Sequence, residues 1–253
     1  MYWLRIALFS IIDREEEGSN NYIIAKYLLE NYNNLSGVSL TEISKSCNLS
    51  KAAVSRFCKE LGLMDYIDLQ MLIRTGSQKE RVTGSNMSEE EQKADYYRMV
   101  QTAYEDLKSV MAQKETEDLI HDLKNYEHIY AFGHLQASHI AYILGNSLAM
   151  YNKFLYTTQS WPEQVEKIEQ ATSEELIIIF SASGDYFKRM DINLRFLKKE
   201  NAPKVYLVTF GNQEEKESEN IHKIFLGEKN VDLQANVAMN MFVNYVAYRY
   251  RKL

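Results

Sequence analysis

The chain has 253 residues, of which 45% are hydrophobic and 25% charged, so it holds enough apolar side chains for one or two globular domains. Ten glycines and two prolines are too few for a collagen-like or Pro/Gly-rich disordered chain, and they predict a helix-rich fold. The net charge of -6 excludes a generally cationic surface, so any contact with nucleic acid must come from a local basic face.

The first predicted element is a helix over Met1–Ile12. It does not resemble a secretory signal, because Arg5 interrupts its apolar run and three glutamates at positions 15–17 follow it. No window of the sequence approaches the ~18 uninterrupted apolar residues of a membrane span. Two cysteines cannot supply a disulfide framework, which indicates a reducing compartment. We therefore expect a cytoplasmic protein with no membrane partner and no cofactor.

Two short helices joined by a tight turn are predicted between positions 38 and 62. Ser39 caps the first helix, and Ser50 caps the second, which runs over Lys51–Leu61 and stops at Gly62. The apolar residues of the second helix recur at helical spacing and form an inner face of Ala53, Val54, Phe57, Cys58 and Leu61. This arrangement is typical of a helix-turn-helix, whose second helix enters the major groove of DNA.

The outer face of the second helix is basic. Between Ile43 and Lys59 the sequence has four basic residues and no acidic one, although the chain as a whole is acidic. Such a face binds phosphates because counterions are released from the duplex, and Arg56 has the planar group that reads guanine. The alternative is an ordinary solvated basic helix. The predicted DNA-binding residues are Lys45, Ser50, Lys51, Ala52, Ser55, Arg56 and Lys59.

A segment between Arg74 and Glu91 is rich in Gly, Ser, Thr, Asn and charge and has almost nothing to bury. It divides the chain into a helix-turn-helix domain at 1–76, a linker at 77–92 and a second domain at 93–253. The second domain is predicted to begin with one helix that extends over Glu91–Lys124.

Short apolar runs alternate with helical patterns in the second domain. The predicted strands are His128–Gly133, Phe154–Thr157, Glu175–Ser181, Lys204–Phe210 and Ile221–Leu226. The predicted helices are Ala137–Asn152, Pro162–Ala171, Tyr186–Glu200 and Leu233–Arg251. This alternation predicts a doubly wound α/β fold with a parallel sheet, and a ligand site beyond the carboxyl ends of the strands. The last helix is apolar on most sides, so burial against a partner subunit and burial in the core are both open.

Two loops at the ends of predicted strands carry groups that suit a phosphate ester. The first contains Gly133 and Ser138, and the second contains Ser181, Ser183 and Gly184. Hydroxyls and free backbone amides at such turns bind anions. Histidines 134 and 139 are five apart and do not share a helical face, so we expect no metal site and nominate no catalytic residue.

Residues 22–72 resemble the N-terminal domain of RpiR-type bacterial transcriptional regulators, and the segments SLTEIS, LSKAAVSRFCKELG and YIDLQ carry the resemblance. Members of that family join this DNA-binding head to a SIS (sugar isomerase) domain that senses a phosphorylated sugar. The resemblance implies a non-enzymatic regulator of sugar or amino-sugar metabolism that binds double-stranded operator DNA as a homodimer or homotetramer.

The loops are also similar to SIS motifs. The serine-x-serine-glycine-x-threonine/serine signature matches Ser181, Ser183 and Gly184, with Tyr186 in its last position. The glycine-x-glycine-x-serine turn matches with one extra residue and without its second glycine. The implied effector-binding residues are Gly133, His134, Ser138, Ser181, Ser183, Gly184 and Tyr186. Two alternatives are a sugar-phosphate isomerase on the same sheet, and a regulator whose SIS domain has lost its ligand and serves only oligomerisation.

Overall fold

The computed structural model describes residues 3–35, 37–61, 63–80, 87–134, 136–211, 221–228 and 233–252. The predicted helix stop at Gly62 and part of the predicted linker, residues 81–86, lie outside these ranges. The chain forms two compact units, Met1–Met87 and Ser88–Leu253. Within the described ranges, no helix combines the length and the apolar character that crossing a membrane requires.

The first unit is helical. Its helices are α1 (Trp3–Arg14), α2 (Asn20–Glu30), a 3-10 turn (Tyr32–Asn34), α3 (Leu40–Ser46), α4 (Lys51–Glu60) and α5 (Tyr66–Glu80). Their shared core includes Ile24 and Leu28 of α2, Ile43 of α3 and Leu69 of α5, all fully buried. Helix α5 extends four residues into the segment that the sequence predicts to be linker.

The second unit is an α/β domain. Its elements are α6 (Glu89–Met111), α7 (Lys114–Asn125), β1 (His128–Gly133), α8 (Gln136–Ala149), α9 (Trp161–Gln170), β2 (Glu175–Ser181), α10 (Tyr186–Arg189), a 3-10 helix (Leu194–Lys198), β3 (Lys204–Thr209), β4 (Ile221–Phe225) and α11 (Leu233–Tyr250). The described strands form a parallel sheet in the order β1-β2-β3-β4. Each strand thus lies within one residue of its predicted bounds.

Alternate residues of the strands face two different helical layers. On one face, Ile178 and Phe180 of β2 belong to a buried cluster that includes residues of α6, α7, α8 and α11. On the other face, Ile177 and Ile179 pack with Ile168 of α9 and with the α10 segment. The sheet is therefore buried on both sides, as expected of a parallel sheet.

One predicted strand is wrong in extent. The run Phe154–Thr157 forms a single parallel bridge, in which Tyr156 pairs with Tyr130 of β1. The Tyr156 N–H donates to the Ile129 carbonyl at 2.8 Å, and the Ala131 N–H donates to the Tyr156 carbonyl at 2.9 Å. Phe154 is exposed, so the segment touches the sheet edge only at Tyr156. This bridge lies on one edge of β1, and β2 pairs with the other edge. After β1 the chain therefore runs first to one side of the strand and then to the other. Ligand sites of open α/β sheets occur at such reversals of strand order.

The predicted single helix over Glu91–Lys124 is also wrong, because two helices, α6 and α7, break at Ala112–Gln113. The Gln113 side chain donates to the Phe225 carbonyl at 2.6 Å and accepts from the Phe225 N–H at 3.0 Å. The helix break places this amide against the backbone of β4, where it satisfies both peptide groups of one residue.

The predicted helix over Tyr186–Glu200 is likewise divided. Asp191 adopts a left-handed conformation with φ of 52° and ends the short helix α10. The Ile192 N–H then donates to the Phe187 carbonyl and the Asp191 N–H to the Lys188 carbonyl, which is the bonding pattern of a Schellman cap. A separate 3-10 helix follows.

The C-terminal helix α11 is a core helix of its own unit. It packs against α6, α7 and α8, and its residues Phe242, Val243 and Val246 are fully buried there. Of the two alternatives that its apolar sequence leaves open, burial within the chain therefore accounts for its inner face.

Candidate functional site

Side-chain caps and a tight turn fix the two helices of the candidate DNA-binding site. Ser39 and Glu42 form a reciprocal capping box at the start of α3. Ser50 accepts a hydrogen bond from the Ala53 N–H at 3.1 Å at the start of α4. Between the helices Asn48 takes a left-handed φ of 53°, and the Leu49 N–H returns to the Ser44 carbonyl at 2.9 Å. Both predicted caps are confirmed.

The inner face of α4 anchors it to the first unit. The five predicted inner residues, Ala53, Val54, Phe57, Cys58 and Leu61, are all buried. The two thiols, Cys47 and Cys58, are buried and free, as expected of packing residues. Burial, followed by the nearby carboxylates of Asp65 and Asp68, raises the pKa of Cys58 to about 11, so this thiol is protonated at neutral pH.

The outer face of α4 is accessible and cationic. Lys51, Ala52, Arg56 and Lys59 are exposed, Ser55 is half-buried, and Lys45 and Ser50 are exposed beside the turn. Within the part of the chain that the structure describes, no ion pair engages Lys51, Arg56 or Lys59. The outer residues of α4, namely Lys51, Ala52, Ser55, Arg56 and Lys59, recur at helical spacing and share one side of the helix, which we name the α4 basic face. Its charges are accessible from solvent, where phosphates could reach them.

The two candidate effector loops leave the sheet side by side. Gly133 at the end of β1 pairs in register with Phe180 of β2, so the loops after Gly133 and after Ser181 leave the same edge of the sheet. The backbone requires glycine at position 133. An added Cβ would lie 2.5 Å from the carbonyl carbon of Ala137 and 2.8 Å from the Ser138 nitrogen. Glycine therefore allows the first turn of α8 to close onto the strand.

The hydroxyls of the two loops differ in accessibility. Ser138 and Ser181 are buried, whereas Ser183 is exposed at the tip of the second loop. Gly184 follows with φ of 74°, and its N–H donates to the Ser181 carbonyl at 3.2 Å. Ser183 is consequently the most accessible of the three hydroxyls.

A carboxylate already engages that hydroxyl. The Ser183 Oγ donates a hydrogen bond to Oδ1 of Asp185, and Arg189 Nε pairs with Oδ2 of the same carboxylate at 2.7 Å. Burial would raise the pKa of Asp185, but the hydrogen bonds from Ser183 and Arg189 outweigh it and hold the pKa below its ordinary value. Asp185 is therefore ionised at neutral pH. Neither Asp185 nor Arg189 was among the predicted site residues.

His134 lies in the first loop within the electrostatic reach of this pair. The pKa of His134 is lowered to about 4, first by burial and then by the positive charge of Arg189, while Asp185 opposes the shift. The imidazole is therefore neutral near pH 7. His139, the other histidine considered in this region, is exposed on α8.

A buried amide connects the two loops. Gln164 Nε2 on α9 donates to the Gly133 carbonyl at 3.2 Å and to the Thr158 carbonyl at 2.6 Å, and its Oε1 accepts from the Tyr186 hydroxyl. Gln164 and Tyr186 are 2% and 1% exposed. The Tyr186 hydroxyl is thus engaged in the core, and a direct contact with an effector would require this bond to break. Gln164 is absent from the predicted site residues, because its contacts join three segments that are distant in the chain.

Among the described residues, no group of three or more histidine, cysteine, aspartate or glutamate side chains is placed to hold a metal ion. The groups at the loop edge are hydroxyls, a neutral imidazole and an ion pair, which suit the binding of a polar ligand.

Comparison with known proteins identifies the first unit. Residues 11–80 match the model of the helix-turn-helix domain of the rpiR family. An uncharacterized HTH-type transcriptional regulator from Providencia stuartii is 22% identical over 199 residues, which cover 76% of this chain and 70% of that protein. A second such regulator, from Caldanaerobacter subterraneus subsp. tengcongensis, is 29% identical over 98 residues, or 38% of this chain and 35% of that protein.

The whole chain also resembles a solved structure, the Vibrio vulnificus NanR protein complexed with ManNAc-6P. The TM-score is 0.51 at 17% identity, with 98% of this chain and 91% of that chain covered. This likeness confirms the predicted fold class at the level of architecture, a helical domain followed by an α/β domain with a parallel sheet. The match to the family model shows that residues 11–80 are a helix-turn-helix domain of the rpiR family, and in the chain this domain is followed by an α/β domain.

Proposed function

We propose that the protein is a transcriptional regulator that binds operator DNA through the α4 basic face and senses a phosphorylated sugar in its α/β domain. In this proposal DNA binding belongs to residues 1–76, a linker to 77–92 and effector binding to 93–253. The observation that carries it is the outer face of α4, where Lys51, Arg56 and Lys59 are exposed on a helix whose inner face is packed into an rpiR-family domain.

Effector binding is supported by the two loops at the carboxyl edge of β1 and β2. Ser183 and Arg189 offer donors to an anion, and Gly133 lets the start of α8 close onto the strand. The structural neighbour from Vibrio vulnificus is described in complex with a sugar phosphate, ManNAc-6P. A phosphorylated sugar or amino sugar is therefore the effector class that we propose.

Binding without turnover is the better account of the site. An isomerase needs a base that removes a proton from carbon. A histidine with a pKa of about 4 is a weak base, and the carboxylate of Asp185 is engaged by Arg189 and Ser183. We assign the residues of this site to binding, and we expect no change in a sugar phosphate incubated with the purified protein.

The regulator is proposed to act as a homodimer or homotetramer on paired half-sites. An effector then alters DNA affinity only if it binds differently to two arrangements of the DNA-binding heads. Sedimentation of the purified chain measures the oligomeric state, and a monomer that retains full operator affinity would contradict this part of the proposal.

The decisive experiment combines two measurements on the full chain. The DNA sequence that the protein binds is first selected from a random pool, and its affinity is measured by mobility shift at fixed salt. A panel of phosphorylated sugars, with ManNAc-6P among them, is then screened by thermal shift, because a ligand that binds only the folded state stabilises it. We expect at least one sugar phosphate to raise the melting temperature and change DNA affinity. Failure to select any DNA sequence would overturn the proposal that the protein is a regulator. If no sugar phosphate changes the melting temperature, the result would favour an α/β domain that serves only oligomerisation.

A further inference from the structure

The second effector loop has an arrangement that the sequence motif does not disclose. Ser183 and Arg189 are exposed donors suited to a phosphate group, and both point their hydrogen-bonding atoms at one carboxylate, that of Asp185. The Arg189–Asp185 contact is 2.7 Å, and the two side chains are 46% and 36% exposed. The donors are therefore engaged by an anion that belongs to the protein itself.

We propose that Asp185 is an internal competitor for the anion-binding position of this loop, holding the Ser183 hydroxyl and the Arg189 guanidinium until the phosphate group of an effector displaces it. The inference rests on the proposed function, because it concerns how the same loop admits its ligand. No covalent bond forms or breaks. The Asp185 carboxylate leaves the two donors, and the phosphate group accepts their hydrogen bonds in its place.

The local backbone makes this exchange feasible. Asp185 precedes the four-residue helix α10, and Gly184, with φ of 74°, turns the chain immediately before it. The Asp185 carboxylate is partly solvated, so water can stabilise it once it is released. An exposed ion pair four residues apart contributes little to stability, so its loss costs the fold little.

Charge predicts what the competitor does to affinity. A carboxylate that remains beside the donors repels a dianionic phosphate, and one that leaves must first give up its hydrogen bond and ion pair. In both cases the carboxylate weakens anion binding. An effector must therefore offset this cost with binding energy from its sugar portion.

The test replaces the carboxylate with its neutral isostere. In Asp185→Asn, inorganic phosphate measured by isothermal titration at pH 7 and constant ionic strength is expected to bind about tenfold more tightly than in the wild-type protein, because a nearby like charge is gone. The matched control is Asp191→Asn, which removes the same charge from an exposed residue six positions further along the chain. That left-handed position accepts asparagine readily, and the control should bind phosphate within about twofold of wild type.

Each outcome decides the matter. An Asp185→Asn protein that binds phosphate no more tightly than wild type, including one that binds none, overturns the proposal, and so does an equal gain in both variants. Asp185→Ala, measured in the same way, provides a second variant that removes the carboxylate. The proposed function is judged separately, by whether sugar phosphates change operator affinity in the wild type. Asp185 can thus prove irrelevant in a true sensor, or prove a competitor in a protein that no sugar phosphate regulates.

Discussion

The hydroxyl of Tyr186 donates a hydrogen bond to the side-chain oxygen of Gln164, and both residues are almost completely buried. The nitrogen of the same amide donates to the Gly133 and Thr158 carbonyls. One side chain on α9 therefore connects the segment after β2 with the end of β1. The amide thus satisfies polar groups from both candidate effector loops and holds their spacing.

Replacement of Gln164 by alanine should destabilise the protein substantially. It leaves the Tyr186 hydroxyl and two carbonyl groups in the interior without this partner, and unsatisfied buried polar groups are costly. We expect the free energy of unfolding in urea to fall by about 2 to 4 kcal/mol. Tyr186→Phe removes only one hydrogen bond and should cost about 1 kcal/mol. Equal losses in the two variants would show that the amide does not connect the loops.

Local sequence signals predicted the DNA-binding unit well. The caps Ser39 and Ser50 lie at the predicted positions, and the predicted inner residues of α4 are buried. These features depend on helical periodicity and on short-range hydrogen bonds, which a sequence displays directly. The DNA contacts of the outer face stay a prediction, since they need a duplex to be tested.

Features that depend on distant residues were not predictable in the same way. At the break between α6 and α7, Gln113 bonds to the backbone of Phe225, more than a hundred residues away. The Phe154–Thr157 run has strand-like composition but lies at the sheet edge, where only Tyr156 pairs. The engagement of Ser183 by Asp185 likewise follows from the turn geometry at Gly184, which a motif match does not reveal.

Arg56 offers the sharpest test of the α4 basic face. Its side chain is exposed, and Arg56→Ala should weaken binding to the selected operator by about 1 to 3 kcal/mol, as expected for an arginine that reads a base. Mobility shift at fixed salt measures the change. The matched control is Lys26→Ala, which removes one positive charge from an exposed residue of α2 in the same unit. Similar losses of operator affinity in the two variants would show that Arg56 contributes only general electrostatic attraction and does not read a base.

Glycine 133 should be intolerant of any side chain. A Cβ there would approach the backbone carbonyl of Ala137 to 2.5 Å, and the rigid start of α8 would have to move. We expect Gly133→Ala to lower the free energy of unfolding by about 1 to 3 kcal/mol. In Gly145→Ala the new Cβ meets the flexible side chain of Leu155 at 3.1 Å. That control should be nearly neutral, because alanine also favours the helix. Urea unfolding compares the two, and a neutral Gly133→Ala would show that α8 can shift.

His134 should make stability depend on pH in mildly acidic solution. Its pKa is about 4 in the folded protein, where burial is the largest cause, and 6.5 is the ordinary value. Between these values the unfolded chain binds the additional proton, so stability is complete above about pH 6.5 and falls as the pH is lowered towards 4. Arg189 and Asp185 face the imidazole and act in opposite directions.

Urea unfolding at pH 7 and pH 5 measures this contribution when wild type is compared with His134→Gln. The glutamine carries no titrating group, so the variant should lose about 2 kcal/mol less than the wild type over this interval. His139→Gln is the control, because it removes an exposed histidine from α8 and should leave the wild-type pH dependence in place. If both variants retain the full wild-type loss, His134 takes up its proton as readily in the folded protein as in the unfolded chain, and the lowered pKa is wrong.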